Sequence, residues 1–92
     1  MEKTKKKNKE KDKKSNENEN IKILVLYNDD YHTFDYVISA LINVCNHQQE
    51  QAVQCTYLVH FKGKCDVLTG GFEYLKPLKD QLLKLELKAE IK

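Results

Sequence analysis

The chain has 92 residues, a formal net charge of +2 and 40% apolar residues, which is enough for one small domain. All sixteen of its basic residues are lysine, so no arginine is available for the bidentate contacts that read guanine or grip phosphate. No apolar run approaches the roughly 20 residues that a membrane-spanning helix needs, so neither nucleic acid nor a membrane is an expected partner.

Residues 1–20 hold eight lysines, five acids and four asparagines, with Met1 as the one apolar side chain. Such a segment cannot bury enough surface to offset the entropy of ordering its backbone, which predicts a disordered extension with a charge of about +3. It reads as a solvated arm or a tether. The remainder, residues 21–92, carries eight lysines against nine acids and is nearly neutral. It is small but within the range that folds alone. The three cysteines, Cys45, Cys55 and Cys65, are an odd number, and the chain start has no signal-peptide pattern. Together these predict a reducing, cytoplasmic setting and no disulfide framework.

Residues 21–27 are apolar on both faces and predict an interior strand. Asn28 to His32 form a loop. Thr33 is a suitable N-cap, with Asp35 in the first turn, where a carboxylate suits the helix dipole. The first helix then runs to about Cys45, with Phe34, Val37, Ile38, Leu41, Val44 and Cys45 along one face. Asn46-His47 ends it. A second helix covers about Gln48 to Phe61, with Ala52, Cys55, Thr56 and Val59 as its stripe and Gly63 as a left-handed C-terminal cap.

A short strand, Cys65 to Leu68, is closed by Thr69-Gly70-Gly71. The third helix, Phe72 to Lys84, buries Leu75, Leu78, Leu82 and Leu85 and accepts Pro77 near its start. In the last segment Leu87, Ala89 and Ile91 alternate with Lys88, Glu90 and Lys92, as in a half-exposed strand. The order β-α-α-β-α-β predicts an α+β sandwich, with a three-stranded sheet and its helices packed on one face.

Asn28, Asp29 and Asp30 at the strand-to-helix junction admit two readings. They are an Asx-rich turn, or a cluster of acceptors for the three donor hydrogens of an ammonium group. His60, late in the second helix, is an edge residue or an acceptor for the same amine. A metal site built from Cys45, His47, Cys55, His60 and Cys65 lacks any CxxC or His-x3–5-His pair, so no metal or other cofactor is expected. Lys62, Lys64 and Lys76 read as solvated surface lysines, and the glycines form no phosphate loop.

Tyr27-Asn28-Asp29-Asp30-Tyr31 before a helix, followed about 30 residues later by Leu58-Val59-His60-Phe61-Lys62-Gly63-Lys64, resembles the ClpS family of Clp protease adaptors. The likeness covers residues 21–92, and it is the pair of motifs that makes it specific. It implies a non-enzymatic adaptor, and a monomer is the default expectation. Such a protein binds substrates whose first residue is Leu, Phe, Tyr or Trp and delivers them to a ClpA- or ClpC-type AAA+ unfoldase working with ClpP.

Carried over by position, the resemblance assigns Asn28 and His60 to the substrate α-amino group and Asp29 to the neighbouring backbone and the amine. It lines the pocket for the first side chain with His32, Phe34, Val37, Thr56, Val59 and Leu87. Lys76 falls on an unfoldase contact, and the N-terminal extension on the segment that engages the unfoldase. Many relatives carry Thr-Pro-Met where this chain has His32-Thr33-Phe34, and a further pocket methionine is replaced by Thr56. A modulator of the unfoldase whose degron pocket is altered or filled is therefore the alternative. A basic-tailed nucleic-acid binder fits poorly with the near-neutral, arginine-free core. A hydrolase using Asp29, Asp30 and His60 lacks any other catalytic part.

Overall fold

The computed structural model describes residues 20–92. The segment read as a disordered extension therefore lies, apart from Asn20, outside the described residues. The elements follow in the order β1 (Ile21–Tyr27), α1 (Phe34–Cys45), α2 (Gln49–Lys62), β2 (Lys64–Gly71), α3 (Phe72–Lys84) and β3 (Lys88–Ile91). Both outer strands run antiparallel to β1 in a sheet ordered β2-β1-β3.

The middle position of β1 is the physical counterpart of its apolar run from Ile23 to Leu26. Leu24 and Leu26 are fully buried in one core cluster with residues of all three helices, while Val25 is buried outside that cluster. The cluster also takes Val37, Ala40, Leu41 and Cys45 from α1, Ala52, Cys55 and Val59 from α2, and Leu75 and Leu82 from α3. Among the described residues, no helix is long and apolar enough to cross a membrane.

The helix ends follow their local chemistry. Thr33 is extended, and its hydroxyl accepts the Tyr36 N–H at 3.1 Å, satisfying one of the donors that a helix start leaves free. Asn46 closes α1 in the left-handed region at φ 59°, a conformation that asparagine tolerates better than most residues. Gly63 closes α2 at φ 94°, its N–H donating to the Val59 carbonyl at 3.1 Å.

Four expectations need correction. The second strand does not stop at Leu68. Thr69, Gly70 and Gly71 pair with Ile23, Lys22 and Ile21, because the first half of β1 needs a partner along that edge. A Cβ at Gly70 would lie 2.7 Å from the Tyr74 ring, so a larger residue there would displace that exposed side chain. Pro77 sits in the second turn of α3 rather than at its start. The donor it lacks would have met the carbonyl of Glu73, an exposed residue where water can take its place. The register between β1 and β2 slips after Leu24, which leaves Val67 without a partner. Val67 is buried at this bulge and its carbonyl accepts the His47 Nε2–H at 3.0 Å, so His47 is a buried structural residue rather than a helix breaker alone.

The cysteines differ most from expectation. Cys55 and Cys65 are joined by a disulfide, and Cys45 is the free thiol. A spacing of ten residues conceals this, because the chain reverses at Gly63 and returns β2 alongside the end of α2, with the two Cα atoms 5.7 Å apart.

Candidate functional site

The junction after β1 is a self-bonded loop with acceptors to spare. The Asn28 Nδ2 donates to Asp30 Oδ1 at 3.0 Å, and the Asp30 N–H returns a bond to Asn28 Oδ1 at 3.2 Å. That exchange holds Asp30 at φ 60° and fixes which face of the Asn28 amide is the oxygen. Asp29 is engaged more fully. Its Oδ1 accepts the N–H groups of Tyr31 and His32 at 2.8 and 3.1 Å, and its Oδ2 accepts the His32 Nδ1–H at 2.6 Å. The bonds are those of an Asx turn: Asp29 builds it with both lone pairs of Oδ1 engaged, while Asn28 Oδ1 and Asp29 Oδ2 each keep a second lone pair.

Burial pushes the Asp29 carboxyl up, but the Tyr31 and His32 N–H groups and the His32 ring outweigh it and hold the group below its ordinary value of 3.8. A depressed folded pKa stabilises the fold above the unfolded value, and that contribution is lost as the pH falls through the folded one. Asp29→Asn should therefore be less stable than the parent at neutral pH. The gap should close as the pH drops below 3.8. Urea denaturation of both proteins, carried from neutrality to about pH 2, measures it.

Tertiary structure brings the end of α2 to this loop. The Asn28 N–H donates to the carbonyl of Gly63 at 3.0 Å, so Asn28 sits against the C-cap of α2, one turn beyond His60. The His60 Nδ1 lies 3.3 Å from the Thr56 carbonyl. A carbonyl has no proton to give, so Nδ1 carries a hydrogen, which in the neutral ring leaves Nε2 as the acceptor. The site depends on Gly63 twice, for its conformation and for its carbonyl. Gly63→Ala forces a side chain into the left-handed region and should cost about 1–2 kcal/mol, read as a melting temperature lower by about 4–15 °C.

The side chains assigned to a pocket fall into two groups. Val37, Val59 and Leu87 belong to the core cluster, and Thr56 is fully buried with its hydroxyl donating to the Ala52 carbonyl at 2.8 Å. These residues belong to the interior of the domain. His32 and Phe34 are both half-buried. The His32 ring stacks on Tyr36 with centroids 4.6 Å apart, and the Phe34 ring tilts onto His60 at 4.3 Å. Lys76 is exposed on α3 and pairs with Asp80 at 2.7 Å, a bond between adjacent turns that lowers the Asp80 pKa.

Two aromatic residues beside the site were given no site role from the sequence. Tyr57 and Phe61 stack on each other at 5.5 Å, flank Phe34 at 5.0 and 6.4 Å, and remain 52% and 71% exposed. Their i, i+4 spacing on the polar face of a helix was the available signal.

Comparison with known proteins bears on what this arrangement is. The family model described as "ATP-dependent Clp protease adaptor protein ClpS" matches residues 16–90. The chain belongs to the ClpS family. Members of that family are adaptors of the Clp protease rather than the protease itself. The ClpS adapter of Treponema denticola is 31% identical over 75 residues, covering 73% of this chain and 74% of its own length. The ClpS adapter of Clostridium acetobutylicum is 48% identical over 40 residues, which are 44% of this chain and 40% of that protein. Among solved structures, Agrobacterium tumefaciens ClpS2 bound to L-phenylalaninamide has the same fold, with a TM-score of 0.75. It is 16% identical, and the match covers 79% of this chain and 95% of that one.

Proposed function

We propose that this protein recognises substrates by a free N-terminus carrying a bulky hydrophobic first residue and hands them to a ClpA- or ClpC-type AAA+ unfoldase acting with ClpP. The observation that carries the reading is the bond from Asn28 to Gly63, which sets an amide acceptor beside the turn where His60 offers a second one. Asn28 and His60 take the α-ammonium group, and Asp29 adds a negative charge and holds the loop that presents them. The first side chain enters between His32 and Phe34 toward Val37, Thr56, Val59 and Leu87. The ligand of ClpS2, L-phenylalaninamide, is a small molecule of this description, with a free amine beside an aromatic side chain. Residues 21–92 form the adaptor core, Lys76 contacts the unfoldase, and the N-terminal extension engages it during delivery.

The selectivity has a physical basis. A charged amine differs from an internal peptide bond in charge and in donor count. Leaving two desolvated acceptors unpaired costs about 1–3 kcal/mol each. Burying a Leu or Phe side chain contributes roughly 1.5–3 kcal/mol. Peptides beginning with Phe or Leu should therefore bind, and their N-acetylated forms should not. Equal affinity for the two forms, measured by fluorescence anisotropy, would sink the reading.

One contact favours a second reading. The Phe34 ring rests on His60, the residue assigned to the amine, with the ring centroids 4.3 Å apart. A modulator of the unfoldase with a filled degron pocket would have this arrangement. Phe34→Ala separates the two, since only in the filled-pocket case does the truncation create peptide binding that the parent lacks.

A further inference from the structure

We propose that Cys55 and Cys65 are a reversible dithiol–disulfide clasp that governs the substrate-binding end of α2. The inference rests on the adaptor reading for its consequence, although the clasp itself does not. Cys55 lies on the core face of α2 and Cys65 at the start of β2, and their 5.7 Å Cα separation permits the bond without backbone movement. The residues enclosed between them include Thr56, Val59, His60 and Gly63, so most of what α2 contributes to the candidate site lies inside the closed loop.

The bridge is reachable. A surface groove of about 280 Å³, lined by His47, Gln51, Gln54, Leu58 and Asp66, includes both cysteines in its wall. Cys65 is 8% exposed and Cys55 3%, which makes Cys65 the sulfur an incoming thiolate meets. The third thiol stays out of the exchange, since burial pushes Cys45 up to about 11 and leaves it protonated near neutrality.

Opening uses a dithiol reductant, either a small dithiol or a protein with a reactive cysteine pair. Its thiolate attacks the Cys65 sulfur, the S–S bond breaks, and Cys55 departs as a thiolate that takes up a proton. The second thiol of the reductant then resolves the mixed disulfide and frees Cys65. The protein gains two electrons and two protons, and the reductant ends as its own disulfide. Closure is the reverse, with glutathione disulfide as the oxidant.

When closed, the clasp pins the last two turns of α2 to β2 and holds His60 and the Gly63 carbonyl in register with Asn28. When it is open, that register rests on packing, the strand pairing and the single Asn28–Gly63 bond. A preorganised site binds more tightly because less is ordered on binding, so oxidation should raise affinity for a Phe-initiated peptide roughly 3- to 10-fold.

The test compares the whole protein equilibrated with glutathione disulfide and with dithiothreitol. Denatured thiol titration should find one free thiol per oxidised chain and three per reduced chain. Three thiols in both states would overturn the proposal, as would equal peptide affinity in the two states while N-acetylation still abolishes binding. If neither state distinguishes free from acetylated peptide, the adaptor reading fails instead. The clasp is then judged by hydrogen exchange over residues 56–64. Faster exchange on reduction supports it, and unchanged exchange overturns it. Cys65→Ser should behave as the reduced protein under both conditions.

Discussion

His60→Ala and Asn28→Ala should each weaken binding of a Phe-initiated peptide by about 10- to 100-fold, because each removes a hydrogen bond to a charged group that contributes about 1.5–3 kcal/mol. On the proposed reading both residues address the same ammonium group, so the two losses should not add fully. Neither change empties the core. His60 is half-buried at the edge of α2, and the bond that ties Asn28 to Gly63 comes from its backbone, which alanine retains. Titration of free and N-acetylated peptides against the two variants, with melting curves alongside, separates a binding effect from a folding one. The acetylated peptide should respond to neither substitution. A variant that melts with the parent and binds with unchanged affinity would remove that residue from the site.

Leu75→Ala should be among the most damaging single truncations in the folded part, at about 2–5 kcal/mol. Leu75 is fully buried on the inner face of α3, in the cluster that also holds Leu24, Leu26, Leu41 and Leu82. A domain of this size has little stability in reserve. Such a loss should lower the melting temperature by about 10 °C or more and leave a population unfolded near ambient temperature. The neighbouring Leu78 is only partly buried, so Leu78→Ala is the internal control and should cost clearly less. Chemical denaturation of the pair, read at equal slopes, gives the difference directly.

Much of the architecture was legible because it is local. The extents of β1, α1 and α3, the Thr33 cap and the left-handed Gly63 cap each follow from side-chain period or from the backbone demands of a few adjacent residues. The misreadings share one cause. Thr69-Gly70-Gly71 reads as a turn by composition, yet it is strand because β1 extends that far and Tyr74 takes the space over Gly70. Likewise His47 reads as a helix breaker, while its buried contact with Val67 depends on a bulge that only the strand register creates. The Asn28-to-Asp30 run permits both a turn and an acceptor cluster, and local bonding in the structure displays the turn.

By itself the sequence determined the element order, the caps and the pair of motifs that marks the family. These are written in spacings of two, three and four residues, which a single element can read. Tertiary structure decided what meets what. The chain reversal at Gly63 brings its carbonyl to Asn28 and closes Cys55 on Cys65, and the packing of α1 against α2 lays Phe34 over His60. Those meetings join residues ten to more than thirty positions apart. No local periodicity encodes them, because they exist only once the sheet has paired and the helices have buried their shared face.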